Sequence, residues 1–127
     1  IDAVELATWS SDLGEGNTDF FIAGFGAIGF PDPDMNIYGP LHKDQVGISN
    51  YCFYVDDTMS ELLDKSRSIK DGPDRQAVIE QIQQMVYDEV PMLPYANTMQ
   101  VIGLRSDVQG FVPTAAQNHF VQNVYFG

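Results

Sequence analysis

Six residues carry the most chemistry-like spacing in the chain. Gly24-Phe25-Gly26-Ala27-Ile28-Gly29 spells the glycine pattern of a dinucleotide-binding turn and follows a predicted strand. That pattern holds a pyrophosphate only where a helix begins at the glycines and turns its N-terminal amides toward the phosphate. Here Phe30-Pro31-Asp32-Pro33 follows at once, and Pro33 inside such a helix removes a donor and clashes with the preceding turn. An α/β nucleotide-binding enzyme using Gly24 to Gly29 as a phosphate turn is therefore the alternative reading. In the main one, the glycines let the backbone bend and something approach it closely.

The other candidates fare less well. Asp32-Pro33-Asp34-Met35-Asn36 opens like a calcium loop, but Ile37 stands where the turn needs Gly and Lys43 where a bidentate Glu is needed. Asp32 and Asp34 read instead as turn-formers that bond nearby amides. His42 and His119 stand alone, without metal-ligand spacing, and read as surface or satisfied core histidines. The serines lack a Gly-x-Ser-x-Gly elbow. Cys52, between Tyr51 and Phe53, reads as a small buried hydrophobe. Asn50, Tyr51, Phe53 and Tyr54 form a cluster that is either core or pocket lining. No residue set here specifies a reaction, a metal or a cofactor, so nothing in these residues compels an enzyme.

Charge narrows the partners. The 127 residues hold 18 Asp and Glu against 6 Lys and Arg, a formal charge of −12. Phosphate binding needs clustered basic side chains, so neither nucleic acid nor an anionic membrane fits. Residues 1–42 carry seven acids and no Lys or Arg; 43–107 carry all six basic residues; 108–127 carry no formal charge. With 44% hydrophobic residues the composition is that of about one folding domain. One cysteine rules out an intrachain disulfide. The opening Ile1-Asp2-Ala3-Val4-Glu5 has neither the basic nor the apolar region of a signal peptide, and a start at Ile1 reads as a mature or excised piece.

The elements that must position these residues are mixed. Residues 4–6 alternate in the strand period and 7–13 suit a short helix closed by Gly14-Glu15-Gly16-Asn17. Residues 19–23 read as a buried strand. Pro31, Pro33, Gly39 and Pro40 predict an irregular stretch. Residues 60–68 form a helix, with a capping box at Thr58 and Glu61 and an apolar face of Met59, Leu62 and Leu63. Residues 75–90 form a second, with Asp71 as N-cap, Pro73 early, an Ile79-Ile82-Val86-Val90 stripe, and Pro91 as the stop. Residues 95–104 read as extended and 120–126 as a final strand.

Taken in order, these pieces resemble the C-terminal part of the extracytoplasmic solute-binding proteins of oligopeptide, dipeptide and nickel ABC importers. The family's Gly-Trp-Gly-Ala step is similar to Gly24-Phe25-Gly26-Ala27, and its Pro-Asp-Pro-Asp to Pro31-Asp32-Pro33-Asp34. Asn50, Tyr54, Asp56 and Leu62-Leu63-Asp64 resemble the next segment. Asp74-Arg75, Val90-Pro91-Met92-Leu93-Pro94 and Arg105-Ser106-Asp107-Val108-Gln109-Gly110-Phe111 resemble those that follow. The shared order over about Val4 to Phe111 carries the resemblance. Phe25 replaces the family's Trp, Gly29 looks inserted, and Ile28 replaces an Asp that often clamps a peptide's ammonium.

The resemblance implies an α/β fold, the C-terminal portion of a two-lobed, type II periplasmic-binding-protein-like architecture. Residues 1–30 would end the second lobe as strand-crossover-strand, and 31–127 would return to the first. It implies capture of a small solute such as a peptide outside the membrane and delivery to an ABC permease. The implied place is the periplasmic or extracellular face of a bacterial or archaeal cell membrane. The implied ligand-touching residues are Phe25, Gly26, Ala27 and Ile28, with no cofactor. A lone C-terminal portion is further expected to form a homodimer or exchange elements, and a non-catalytic interaction module is the remaining alternative.

Overall fold

The computed structural model describes residues 4–24, 32–96, 99, 101–114 and 119–127. They form four helices in chain order: α1 (Leu6–Glu15), α2 (Asp34–Leu41), α3 (Asp57–Ser68) and α4 (Pro73–Glu89). Two short strands follow, β1 (Val108–Gln109) and β2 (Tyr125–Phe126), paired antiparallel with Val108 opposite Phe126 and Gln109 opposite Tyr125. The described fold is thus mostly helical with minor β. No helix among the described residues is long and apolar enough to cross a membrane.

The core lies where α2, α3 and α4 meet. Leu41, Met59, Leu63, Val78 and Ile82 are buried together, with Ile37, Tyr54, Leu62 and Met85 packed around them. Burying such side chains is the main stabilising term of a small helical unit. The long helix is the expected one, with its start shifted. Gly72 is the N-cap and Pro73 opens α4, while Asp71 turns its carboxylate to Arg75 at 2.6 Å. At the other end Val90 takes a left-handed conformation (φ 49°), unusual for a β-branched residue. Pro91 disfavours the helical alternative there.

Helix α3 also starts earlier than the predicted capping box. Asp56, not Thr58, is the N-cap, and its Oδ1 accepts the Met59 amide at 2.6 Å. A carboxylate here meets both an orphan amide and the positive end of the helix dipole, so it displaces the hydroxyl two residues on.

Three expectations are corrected. Residues 4–6 are not a strand: Leu6 is the first residue of α1, and the Glu5 carbonyl accepts the Trp9 amide at 3.0 Å. The predicted helix and its glycine stop do form, with Gly16 left-handed at φ 75°. The stretch read as irregular around Pro33 and Pro40 contains α2. Asp32 Oδ1 accepts the Asp34 amide at 2.8 Å, and Pro33 occupies the N-cap, where no amide is required. Pro40 falls in the last turn of eight residues and is buried, so its missing donor costs one bond at most.

The third correction concerns the strands. Residues 19–24 have no regular structure, and Phe20 and Ile22 are 83% and 72% exposed. Among the described residues of 95–104 no strand forms, and Tyr95, Met99 and Val101 lie at the surface. A strand needs a paired neighbour to hold its backbone groups, and these segments have none among the described residues. Of residues 120–126 only Tyr125–Phe126 pairs.

Helix α1 meets the connection between α2 and α3 through two glycines. A Cβ on Gly47 would sit 2.8 Å from the Gly14 carbonyl oxygen, and Gly47 itself is left-handed at φ 75°. Only a residue without a side chain permits that approach.

Candidate functional site

The four ligand-touching residues expected from the sequence, Phe25, Gly26, Ala27 and Ile28, lie outside the described residues, as does most of the glycine turn from Gly24 to Gly29. Gly24, which is described, faces open space. What the structure defines is how the chain is gripped just beyond them.

Asp32 is held by Arg75. The guanidinium Nη1 donates to Asp32 Oδ2 at 2.9 Å and Nη2 to Oδ1 at 2.8 Å, and its Nε donates to the Ser66 carbonyl at 2.9 Å. Two parallel bonds to one carboxylate fix orientation as well as distance. The bonds from Arg75 and the Asp34 amide hold the Asp32 carboxyl below its ordinary value. Two residues on, Asp34 makes a second fork to Arg67, at 2.7 and 2.8 Å. The Arg67 guanidinium also lies 3.2 Å from the Tyr38 ring centroid. The chain leaving residue 31 is therefore tied to α4 through Asp32 and to α3 through Asp34.

Asn50 organises the connection between α2 and α3. It is fully buried; its Nδ2 donates to the His42 carbonyl at 3.2 Å and the Tyr54 carbonyl at 2.7 Å, and its Oδ1 accepts the Tyr54 amide at 3.3 Å. A buried amide with its donors and acceptor satisfied specifies one loop path. Tyr54 continues the link, its hydroxyl donating to Glu89 Oε2 at 2.5 Å. Burial of the ring, and then that bond, push the phenol well above its ordinary value. So Asn50 and Tyr54 are framework, while Phe53 is part exposed.

Cys52 corrects another expectation: it is exposed rather than buried. Its surroundings still desolvate the sulfur enough to push the thiol up, which makes it a weaker nucleophile. His42 is buried as a core histidine would be, with Nδ1 accepting the Asp44 amide at 3.1 Å. Its Nε2 has no hydrogen-bond partner among the described residues. His119 packs its ring against Phe111 at 5.4 Å.

The sequence reading missed an apolar groove of about 470 Å³ between α2 and the end of α4, walled by Ile37, Leu41, Ile82, Val86, Val90 and Met92. The Ile79-Ile82-Val86-Val90 stripe was the available signal. It predicts core, but burial fades along it: Ile79 and Ile82 are buried, Val86 is half-buried, and Val90 is 56% exposed. Among the described residues no three His, Cys, Asp or Glu side chains gather as a metal site requires. No family model matches the chain, and a search of curated proteins returns no match.

Proposed function

We propose that this chain is the C-terminal part of the ligand-binding component of an ABC importer, which captures a small solute such as a peptide outside the membrane and hands it to a permease. The observation that carries the reading is where its shared motifs meet. Asp32 and Asp34, from the Pro-Asp-Pro-Asp segment, pair with Arg75 and Arg67, and Arg75 belongs to a second quoted motif. Asn50 holds Tyr54, Asp56 caps α3, and Leu63 lies in the core beside them. Residues recognised only by their order along the chain thus have interlocking structural roles, which supports reading them as one set.

The exposed apolar residues support the same reading. Phe20, Ile22, Tyr95, Met99 and Val101 are exposed and belong to no helix or strand among the described residues. Exposed apolar residues of this kind suit a surface completed by other parts of a larger protein. In the two-lobed α/β fold this reading entails, residues 1–30 finish one lobe and 31–127 return to the other. Phe25, Gly26, Ala27 and Ile28 then lie at the crossing and face the ligand in a hinge closure. Ile28 brings no charge, so recognition does not rest on a free ammonium there.

A thermal-shift panel on the product of the whole reading frame tests this. Tri- and tetrapeptides, oligosaccharides, metal chelates, ATP and NAD form the panel. A solute at about 100 times its Kd raises stability by about 2.7 kcal/mol. Stabilisation by a peptide, sugar or chelate supports the proposal. Stabilisation by ATP or NAD alone would favour the nucleotide-binding enzyme, and no response to any solute would favour an interaction module.

A further inference from the structure

His42 is the buried titratable side chain that nothing above employs. It is 2% exposed and stands between α2 and the 3₁₀ turn Lys43–Gln45. Its Nδ1 accepts the Asp44 backbone N–H at 3.1 Å, which makes it the N-cap of that turn. A ring nitrogen that accepts carries no proton, so the neutral ring holds its proton on Nε2. Nε2 is buried and makes no hydrogen bond among the described residues, and Asp64 Oδ1, on α3, stands 3.5 Å from it. Asp44 Oδ2 is 4.0 Å from Nδ1.

The remaining groups around it are also defined. Tyr38, on α2, stacks on the imidazole with ring centroids 4.4 Å apart, and Arg67 covers Tyr38. The neighbouring Lys43 is bound to Asp57. Among the described residues, the charged groups directly facing the ring nitrogens are thus two carboxylates, one at each nitrogen.

We propose that His42 is a proton-operated latch on the connection between α2 and α3. In the neutral state Nδ1 caps the 3₁₀ turn. A second proton must go on Nδ1, where it meets the Asp44 N–H donor against donor, so the cap cannot survive protonation. The imidazolium then has two acceptors within a small shift, Asp44 Oδ2 for Nδ1–H and Asp64 Oδ1 for Nε2–H. Acidification therefore exchanges a backbone cap for a bridge between the turn and α3. The change passes along the connection, because the His42 carbonyl is one of the two that anchor Asn50. It reaches α1 as well, since Gly47 in that connection meets Gly14.

NMR on the labelled chain tests the latch, following the His42 ring nitrogens and the Asp44 amide from about pH 8 to about pH 5, where histidine changes charge. The expected result is a neutral ring protonated on Nε2. The Asp44 amide should move with the same midpoint as the ring, and its exchange, corrected for intrinsic rate, should speed several-fold on the acid side. His42→Asn keeps an acceptor at the cap and cannot titrate, so its Asp44 amide should stay still over that range. A neutral ring protonated on Nδ1 would overturn the proposal. So would an Asp44 amide indifferent to the ring's titration, or one that moves equally in His42→Asn.

Discussion

Arg75, in the first turn of α4, grips Asp32 just ahead of α2 with two parallel hydrogen bonds of 2.9 and 2.8 Å, although 43 positions separate them. The guanidinium is 12% exposed and also binds Ser66 and Asp71. One side chain thereby sets where the chain from residue 32 onward joins the helical unit. Arg75→Met keeps the length and apolar stem but removes every one of these bonds. We expect it to lower stability by about 1–3 kcal/mol in urea unfolding, toward the low end because water screens the part-exposed Asp32. An unchanged midpoint would mean that the fork is ornamental.

Acid should reveal the same pair. The Arg75 hydrogen bonds, then the Asp34 amide, hold the Asp32 carboxyl below its ordinary value of 3.8. A depressed carboxyl gives stability that is fully present above its unfolded value and lost as pH falls through the folded one. Unfolding measured between about pH 5 and about pH 2 should therefore show a steeper loss in the wild type than in Asp32→Asn. Equal slopes would place the acid sensitivity elsewhere.

Tyr54 should resist ionisation well beyond an ordinary phenol. Burial disfavours its phenolate, and Glu89 accepts the hydroxyl proton's hydrogen bond and opposes a second negative charge. In an alkaline absorbance titration, Tyr54→Phe should remove amplitude only well above about pH 10, where a free phenol ionises. Amplitude lost at that free-phenol position would show that the Tyr54–Glu89 bond does not persist in solution.

The core and the exposed apolar segments should respond in opposite ways. Leu63→Ala opens a cavity beside Met59 and Ile82 and should cost about 2–5 kcal/mol. Phe20→Ser removes a ring that is 83% exposed and should change stability by less than about 0.5 kcal/mol while reducing binding of a hydrophobic dye. A Phe20→Ser loss as large as that of Leu63→Ala would mean that the ring is packed in solution.

What the sequence made legible follows from where the information is local. The bodies of α1, α3 and α4 were readable because apolar spacing and a glycine or proline stop act within a few residues. Cap identity was off by one or two positions: Asp56 caps α3 in place of Thr58 because its carboxylate also meets the helix dipole, and Gly72 caps α4 in place of Asp71 because Arg75 holds that carboxylate. Helix α2 was hidden because Pro33 and Pro40 are breakers in an interior and harmless at the ends of eight residues. The strands expected at 19–23 and 95–104 depend on partners, which local pattern cannot supply. The Asp32–Arg75 fork was invisible as geometry, although both residues had already been singled out by their order in the chain.

Native mass spectrometry of the whole reading frame's product tests the central claim most directly. The protein is incubated with an equimolar mixture of tri- and tetrapeptides, oligosaccharides, metal chelates, ATP and NAD. The account predicts one added mass per chain, matching a peptide, sugar or chelate, and released unchanged when the protein is denatured. An added mass equal to ATP or NAD, a solute recovered as a reaction product, or a chain that binds none of the mixture would contradict it.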